Sequence, residues 1–340
     1  MEEFREDIEV YEIGRWVVST LGFDPGPAGR QLHLSDEQIE VLRRRHRRRR
    51  IRRRLAVARR CTAAVLAVAA VPAMVWAVRS VALPEPSAPA AGVVTGPLLR
   101  LPDPRTWQPA RPVLTDLAEA VAAQPPAKET GAYTYTRTRL WSRDATSGGA
   151  VTVQDEQRCW APDRSGRVTR STILGWAPGT APGPAQAADT GQDQRFRSHR
   201  MPVIAPDLAD NVFLVSSQLA DQEDPADGPQ ATLRAVRDVD RFHHPNPAQQ
   251  AALIQALADT DGLSSAGIVD GGAGRHGLAI VVDSDHHATR DIAIIDPTDG
   301  RMLAYDTVWL RPPSAVDIPT PTMSDSLLFI TSSRTNGCGW

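Results

Sequence analysis

Two histidine pairs are the first residues along this sequence whose chemistry invites a reading. His286-His287 stand beside Asp283 and Asp285, and imidazole with carboxylate is a donor set that suits zinc. His243-His244 come just before a proline-opened helical pattern. Both pairs fall where polar residues are expected anyway, at a hairpin tip and in a connecting loop, so both are read as exposed loop residues and not as ligands. Gly272-x-Gly274-x-x-Gly277 satisfies the dinucleotide fingerprint by letter. That motif needs a helix N-terminus to receive the pyrophosphate, but Leu278-Ala-Ile-Val-Val follows with the pattern of a strand, so the glycines are read as a turn. No GxSxG elbow, GKS/T phosphate loop or HExxH helix occurs. A hydrolase would need a nucleophile and a base in one cleft, and no such pair is legible. The sequence is therefore read as non-enzymatic, with no cofactor and no bound metal.

Of the three cysteines, Cys61 opens an uncharged apolar run, which leaves Cys159 and Cys338. An oxidising compartment permits a disulfide between them, worth ~2–5 kcal/mol in typical cases. Two separate thiols too far apart to meet are the alternative, and spacing does not decide between the two.

The elements that would position these residues are arranged in blocks, and charge marks the blocks. The chain has 340 residues with a net charge of −2. Residues 1–40 hold ten acids and three Arg, residues 41–80 hold thirteen Arg and no acid, and residues 81–340 are net −8. This excludes a uniformly basic nucleic-acid binder and a wholly disordered chain. Cys61 to Val78 is an uncharged run that, as a helix, spans roughly 27 Å against a hydrocarbon core of ~30 Å. Arg60 and Arg79 flank it, and Trp76 stands where an interfacial ring belongs. The arginine run Arg43–Arg60 abuts it with no interleaved aromatic residue, which favours a positive-inside anchor over a nucleic-acid patch. The expectation is a signal-anchored, single-pass plasma-membrane protein, N-terminus cytoplasmic and C-terminus extracytoplasmic, with membrane lipid as a partner and no nucleic acid.

Four regions follow: a cytoplasmic acidic and Arg-rich tail at 1–60, a transmembrane helix at 61–83, a Pro-rich linker at 84–112 and an extracytoplasmic domain at 113–340. In the tail, Phe4, Ile8, Tyr11, Ile13 and Val17 give Glu2–Leu21 a partial apolar face, and Ser35 with Gln38 reads as a capping box for a second helix. The tail is either solvated or a partner-binding helix. In the exterior region, the spacing of Leu114, Leu117, Ala118 and Val121 predicts a helix from Pro112. Alternation then predicts strands over 132–141, 151–160 and 167–176, with a low-complexity loop at 177–194. Helices are expected over 230–239 and after the Asn246 cap. Strands are expected over 267–270, 278–283, 291–296, 302–310 and 327–331. The fold class is α+β: N-terminal cytoplasmic helices, one transmembrane helix, then a curved antiparallel sheet with helices packed on one face.

Several segments resemble a family of actinobacterial single-pass membrane proteins of unassigned biochemistry, commonly encoded beside extracytoplasmic-function sigma factors. They are Trp160, Asp163, Gly166 and Arg167 in CWAPDRSGR, the AALIQALADTDGL helix, Gly267–Asp270 with Gly274-Arg275-x-Gly277, and Asp296-Pro297-x-x-Gly300-Arg301. The likeness covers roughly residues 1–310, and the tail NGCGW fits no pattern of that family. The resemblance implies an anti-sigma-like or sensory role and an exterior domain similar to the lipoprotein-carrier fold. Zinc-dependent anti-sigma domains use a His followed by closely spaced Cys; His33, His46 and Cys61 lack that spacing, so sigma-factor binding by the tail would proceed without zinc.

The functional expectation is a membrane sensor or regulator. Its exterior domain binds an unknown extracytoplasmic ligand, with a hydrophobic concavity between sheet and helices as the default site, for lipid or a lipoprotein. The alternative is an envelope structural or carrier protein whose tail is only an anchor; the apolar face at Phe4, Ile8, Tyr11 and Val17 is what separates the two.

Overall fold

Among the described residues, alternation of side chains along eleven antiparallel strands gives the C-terminal region two apolar faces, and helices cover one of them. A computed structural model describes residues 99–125, 130–144, 150–174, 176–178, 186–187 (backbone alone), 191–271, 274–284, 287–311 and 318–339. The tail with Phe4, Ile8, Tyr11 and Val17, the 61–83 segment with Arg60, Trp76 and Arg79, and linker residues 84–98 lie outside the described residues. Among the described residues, no helix is long and apolar enough to cross a membrane.

The elements are β1 (Gln108–Pro109), α1 (Arg111–Ala122), β2 (Tyr133–Arg143), β3 (Val151–Trp160), β4 (Gly166–Leu174), β5 (Gln186–Ala187), β6 (Gln192–Phe196), α2 (Val212–Gln222), α3 (Pro229–Phe242), α4 (Pro247–Ala258), β7 (Ser264–Asp270), β8 (His276–Ser284), β9 (Thr289–Ile295), β10 (Met302–Trp309) and β11 (Thr322–Thr335). The strand order is β1-β7-β8-β9-β10-β11-β2-β3-β4-β5, with β6 also on β4. The fold is α+β, as expected. The C-terminal strand β11 joins the two meanders, pairing Leu327 with Tyr305 on one side and with Leu140 on the other.

Helix starts follow local chemistry. Asn246 and Gln249 form a reciprocal capping box at α4, and the Asn211 side chain caps α2. Leu114, Leu117, Ala118 and Val121 are the buried stripe of α1. With Leu233, Leu253, Ile254 and Leu257 they pack on Leu278, Ile280, Ile295, Met302 and Tyr305 of the sheet. On the opposite face lie Val281, Ile292, Ile294 and Met323, together with Trp141, Val153, Ile173 and Trp176.

Charges inside the β2–β4 wing are paired, as burial requires. Asp155 holds Arg137 at 2.9 Å and Arg139 at 2.8 Å. On the helix face, Glu156 gathers Arg158, Arg170 and Arg241, fastening the end of α3 to the sheet. Burial pushes the Glu156 carboxyl up, but the three guanidiniums outweigh it and hold it below the ordinary value. Burial lowers Arg158 to about 10.

Four expectations need revision. Residues 99–109 are not free linker: Leu99, Leu101 and Trp107 pack on the second face, and β1 pairs with β7. The 177–194 segment contains β5 and runs into β6, because β4 offers an open edge that polar residues can pair with. Helix α2 was not expected, since only Val215 and Leu219 mark its buried side. Strand β11 extends well beyond 327–331 because its polar residues Thr322, Ser324 and Ser326 are buried within the sheet.

Candidate ligand cleft

Two β-bulges lie on adjacent strands. Register slips between Met302 and Ala304 on β10 and between Phe329 and Thr331 on β11, leaving Leu303 and Ile330 as extra residues. A bulge frees backbone groups from the ladder, and here one side chain collects them. Arg275, in the β7–β8 turn, donates from Nη2 to the Leu303 carbonyl at 2.8 Å and to the Phe329 carbonyl at 2.7 Å. Burial lowers the pKa of this guanidinium, and among the described residues its Nε has no hydrogen-bond partner.

The end of α3 approaches the same place. Asp240 is 7% exposed, and its Oδ2 accepts the Met302 amide at 3.2 Å. Among the described residues its buried Oδ1 has no partner. Burial pushes the carboxyl up to about 7, against the pull of the Met302 amide and Arg301. An ordinary surface Asp is ionised at neutral pH, whereas burial shifts this one toward its protonated form.

Arg301 follows the β9–β10 turn, which Asp296 and Gly300 close with an amide-to-carbonyl bond of 2.9 Å. Its two terminal nitrogens each lie 3.0 Å from a ring nitrogen of His244. His244 Nδ1 in turn lies 3.0 Å from Ser332 Oγ. Together Asp240, Arg275, Asp296, Asp299 and Arg301, with apolar Met302, Leu303, Phe329 and Ile330, line a cleft of about 250 Å³.

The structure also places the residues singled out in the sequence. His243 and His244 are not exposed loop residues: they are 6% and 5% exposed. His243 bonds the Ile204 carbonyl and meets Trp160 edge-on at 5.2 Å, and burial lowers its pKa to about 4. Trp160 Nε1 donates to the Phe242 carbonyl, so the aromatic residue and the histidine pair fix the α3–α4 corner together. His287 is exposed and 3.7 Å from Asp283, while Asp285 and His286 lie outside the described residues. Among the described residues no group of three or more His, Cys, Asp or Glu could hold a metal. Gly277 lies within strand β8, and Gly272 lies outside the described residues. Cys159 and Cys338 are joined by a disulfide with Cα atoms 5.7 Å apart.

Sequence reasoning missed the Ser332–His244 contact. Arg301 lies against both ring nitrogens of the same imidazole. The Ser332 hydroxyl is also engaged with the His243 carbonyl at 3.1 Å. The expected hydrophobic concavity between helices and sheet is filled by the core side chains of α1–α4 among the described residues, and the cleft is instead lined by charged and apolar residues together.

No family model matches the chain, and no curated protein matches it. Among solved structures it is similar to the crystal structure of MucB in complex with MucA(peri), at 15% identity and a TM-score of 0.27, over 66% of this chain and 55% of that one. The complex structure of Pseudomonas aeruginosa MucA/MucB gives 15% identity and 0.28, over 67% and 59%. A DUF1329 family protein from Desulfovibrio piger gives 9% and 0.23, over 68% and 96%. The chain thus spans little more than half the length of the first two. Superpositions this loose transfer neither a site nor a partner.

Proposed function

We propose that this chain is a non-enzymatic single-pass membrane regulator. Its extracytoplasmic domain binds a polar ligand group in the cleft, and its cytoplasmic tail binds an extracytoplasmic-function sigma factor. The observation that carries the reading is Asp240, a buried carboxyl with one unpartnered oxygen on the wall of a cleft lined by charges of both signs. A buried carboxyl with an unsatisfied oxygen is costly in a core and is more at home in a site that something else completes. The Cys159–Cys338 bond supports an oxidising compartment for this domain. The charges in the lining give a polar end of a ligand its partners, with Met302, Leu303, Phe329 and Ile330 beside them for an apolar portion. On the inner side, support comes from the apolar face of Phe4, Ile8, Tyr11 and Val17, which a bare anchor does not need.

The test is co-purification of the full-length chain from detergent-solubilised membranes. Wild type is compared with an Ile8→Asp/Val17→Asp variant and with Asp240→Ala. A sigma factor recovered with wild type, lost with the tail variant and altered in yield with the cleft variant supports the reading. Equal recovery of the same proteins in all three would falsify it.

A further inference from the structure

We propose that the corner of the domain built from the β3–β4 turn and the segment following β6 docks on anionic lipid headgroups. This rests on the membrane anchorage proposed above.

The corner concentrates positive charge in a domain that is otherwise acidic. Residues 161–167 and 192–201 carry five arginines against two acids, although residues 81–340 together are net −8. Arg195, Arg197, His199 and Arg200 are exposed and Arg164 is partly so. Several surface arginines elsewhere find carboxylates: Arg111 is paired with Asp261 at 2.9 Å, Arg290 with Asp283 at 2.6 Å and Arg237 with Asp238 at 2.7 Å, whereas exposed Arg100, Arg105 and Arg311 stand singly and not as a cluster. Among the described residues, Arg164, Arg195, Arg197 and Arg200 make no ion pair, and the two neighbouring acids are already engaged. Asp193 is held by Arg167 at 2.7 and 2.8 Å, and Asp163 accepts from the Ser165 amide and hydroxyl.

The platform that carries these cations is fixed. Strand β6 pairs with β4, setting Arg195 opposite Arg167. The His199 amide donates to the Asp163 carbonyl at 2.6 Å and the Met201 amide to the Arg164 carbonyl at 3.0 Å, which ties the second segment to the β3–β4 turn. Below, Met201 is buried with Trp160 and Val168. The Cys159–Cys338 bond anchors the neighbouring strand. Unpaired guanidiniums on a rigid base suit phosphate oxygens, which they meet through fork-like pairs of N–H donors.

Lipid is the occupant that the rest of the chain favours. Among the described residues the exposed large apolar ones are Val151, Leu174 and Ile268, none of them on this corner, so it offers an electrostatic surface and not an apolar groove. Residues 84–98 can extend roughly 45 Å at ~3.1 Å per residue. The sheet is about 34 Å across from β7, beside which the chain enters, to β4, at ~4.8 Å per strand. A membrane anchor therefore leaves the corner within reach of headgroups, and tethering raises their effective concentration so that weak contacts suffice. Each arginine near an anionic leaflet contributes about a fivefold factor in partitioning.

The experiment places the full-length chain in nanodiscs of phosphatidylcholine alone, or of phosphatidylcholine mixed with phosphatidylglycerol. It follows hydrogen exchange of residues 161–165 and 192–201. Expected are slower exchange in the anionic discs only, reversal by high salt, and loss in Arg195→Gln/Arg197→Gln/Arg200→Gln. That variant should lower the docked-to-free ratio on the order of a hundredfold. Equal exchange in both discs, with the chain incorporated, overturns the docking and leaves the anchorage standing. Failure of the chain to enter discs at all overturns both. Protection by an added acidic peptide but not by anionic discs assigns the corner to a protein partner and overturns the lipid proposal.

Discussion

Arg275 donates to the carbonyl of Phe329 at 2.7 Å, across 54 positions of sequence. The same nitrogen takes the carbonyl of Leu303, so one guanidinium satisfies both bulged strands at once. Replacing Arg275 with Ala strands two carbonyls, and each buried acceptor left alone costs ~1–3 kcal/mol. Arg275→Ala is expected to lower the urea unfolding free energy by ~2–4 kcal/mol, and Arg275→Lys by an intermediate amount, since an ammonium lacks the planar fork. Equal stability of wild type and the alanine variant would show that water replaces the guanidinium without loss.

Two buried aspartates set a pH dependence. Burial raises Asp240 to about 7 and Asp306 to about 6. Both bind their proton more tightly folded than unfolded, where an Asp titrates near 4. The stability they supply is full below about pH 4 and is lost as pH rises to their folded values. His243 works in the opposite sense: lowered to about 4, it withholds stability in acid and returns it as pH rises through its unfolded value near 6.5. Comparison with single variants isolates each group. Asp306→Asn is expected to match wild type near pH 4, and to exceed it by on the order of 3 kcal/mol above pH 6. Asp240→Asn should keep gaining up to about pH 7. Thermal unfolding across pH 4–8 reads this directly, and a constant difference between variant and wild type defeats it.

Much of the fold was legible in the sequence, because the strands alternate and the helices carry caps and apolar stripes. What escaped depended on contacts that no local pattern reports. Helix α2 buries few side chains, and its one clear signal was Asn211 ahead of Val212. Strand β11 is central because both of its edges are paired, which its serines and threonines conceal. The cleft assembles Asp240, Arg275, Arg301 and Phe329 from four separate stretches, so spacing could not gather them. The family-like segments Gly274-Arg275-x-Gly277 and Asp296-Pro297-x-x-Gly300-Arg301 were the nearest signal, since they contribute Arg275, Asp296 and Arg301 to it. The histidine pair was misjudged because burial by Trp160, Arg301 and Ser332 is a tertiary event.

Two glycines in those family-like segments are steric requirements. A Cβ on Gly300 would stand 2.2 Å from Ile254 Cδ1, and its φ of +74° already disfavours other residues. A Cβ on Gly166 would stand 2.3 Å from the Cys159 carbonyl oxygen, where backbone cannot give way. Gly300→Ala is expected to cost ~1–3 kcal/mol, since Ile254 can turn aside in part. Gly166→Ala should cost more and also loosen the β3–β4 turn, seen as faster hydrogen exchange at residues 159–167. Parity between the two variants would contradict the difference drawn between a movable side chain and fixed backbone.

The last prediction concerns how the disulfide stabilises the domain. Cys159 and Cys338 are 179 positions apart, so reduction frees a very long loop in the unfolded chain, and the chain-entropy estimate approaches ~5 kcal/mol. The native contacts of the terminal segment are few by comparison. Strand β11 is already paired to β2 as far as Thr335 with Tyr133, and Cβ atoms built on Gly337 and Gly339 would meet nothing within 4 Å. The bond should therefore act on the unfolded state and not by holding β11 in register. Cys338→Ser is expected to lower stability by ~2–5 kcal/mol with unchanged circular dichroism, and truncation after Thr335 should lower it by the same amount. A reductant should shift the unfolding midpoint of wild type and leave both variants where they are. If truncation costs clearly more than Cys338→Ser, the terminal segment contributes packing of its own, and stabilisation through the unfolded chain is not the main effect.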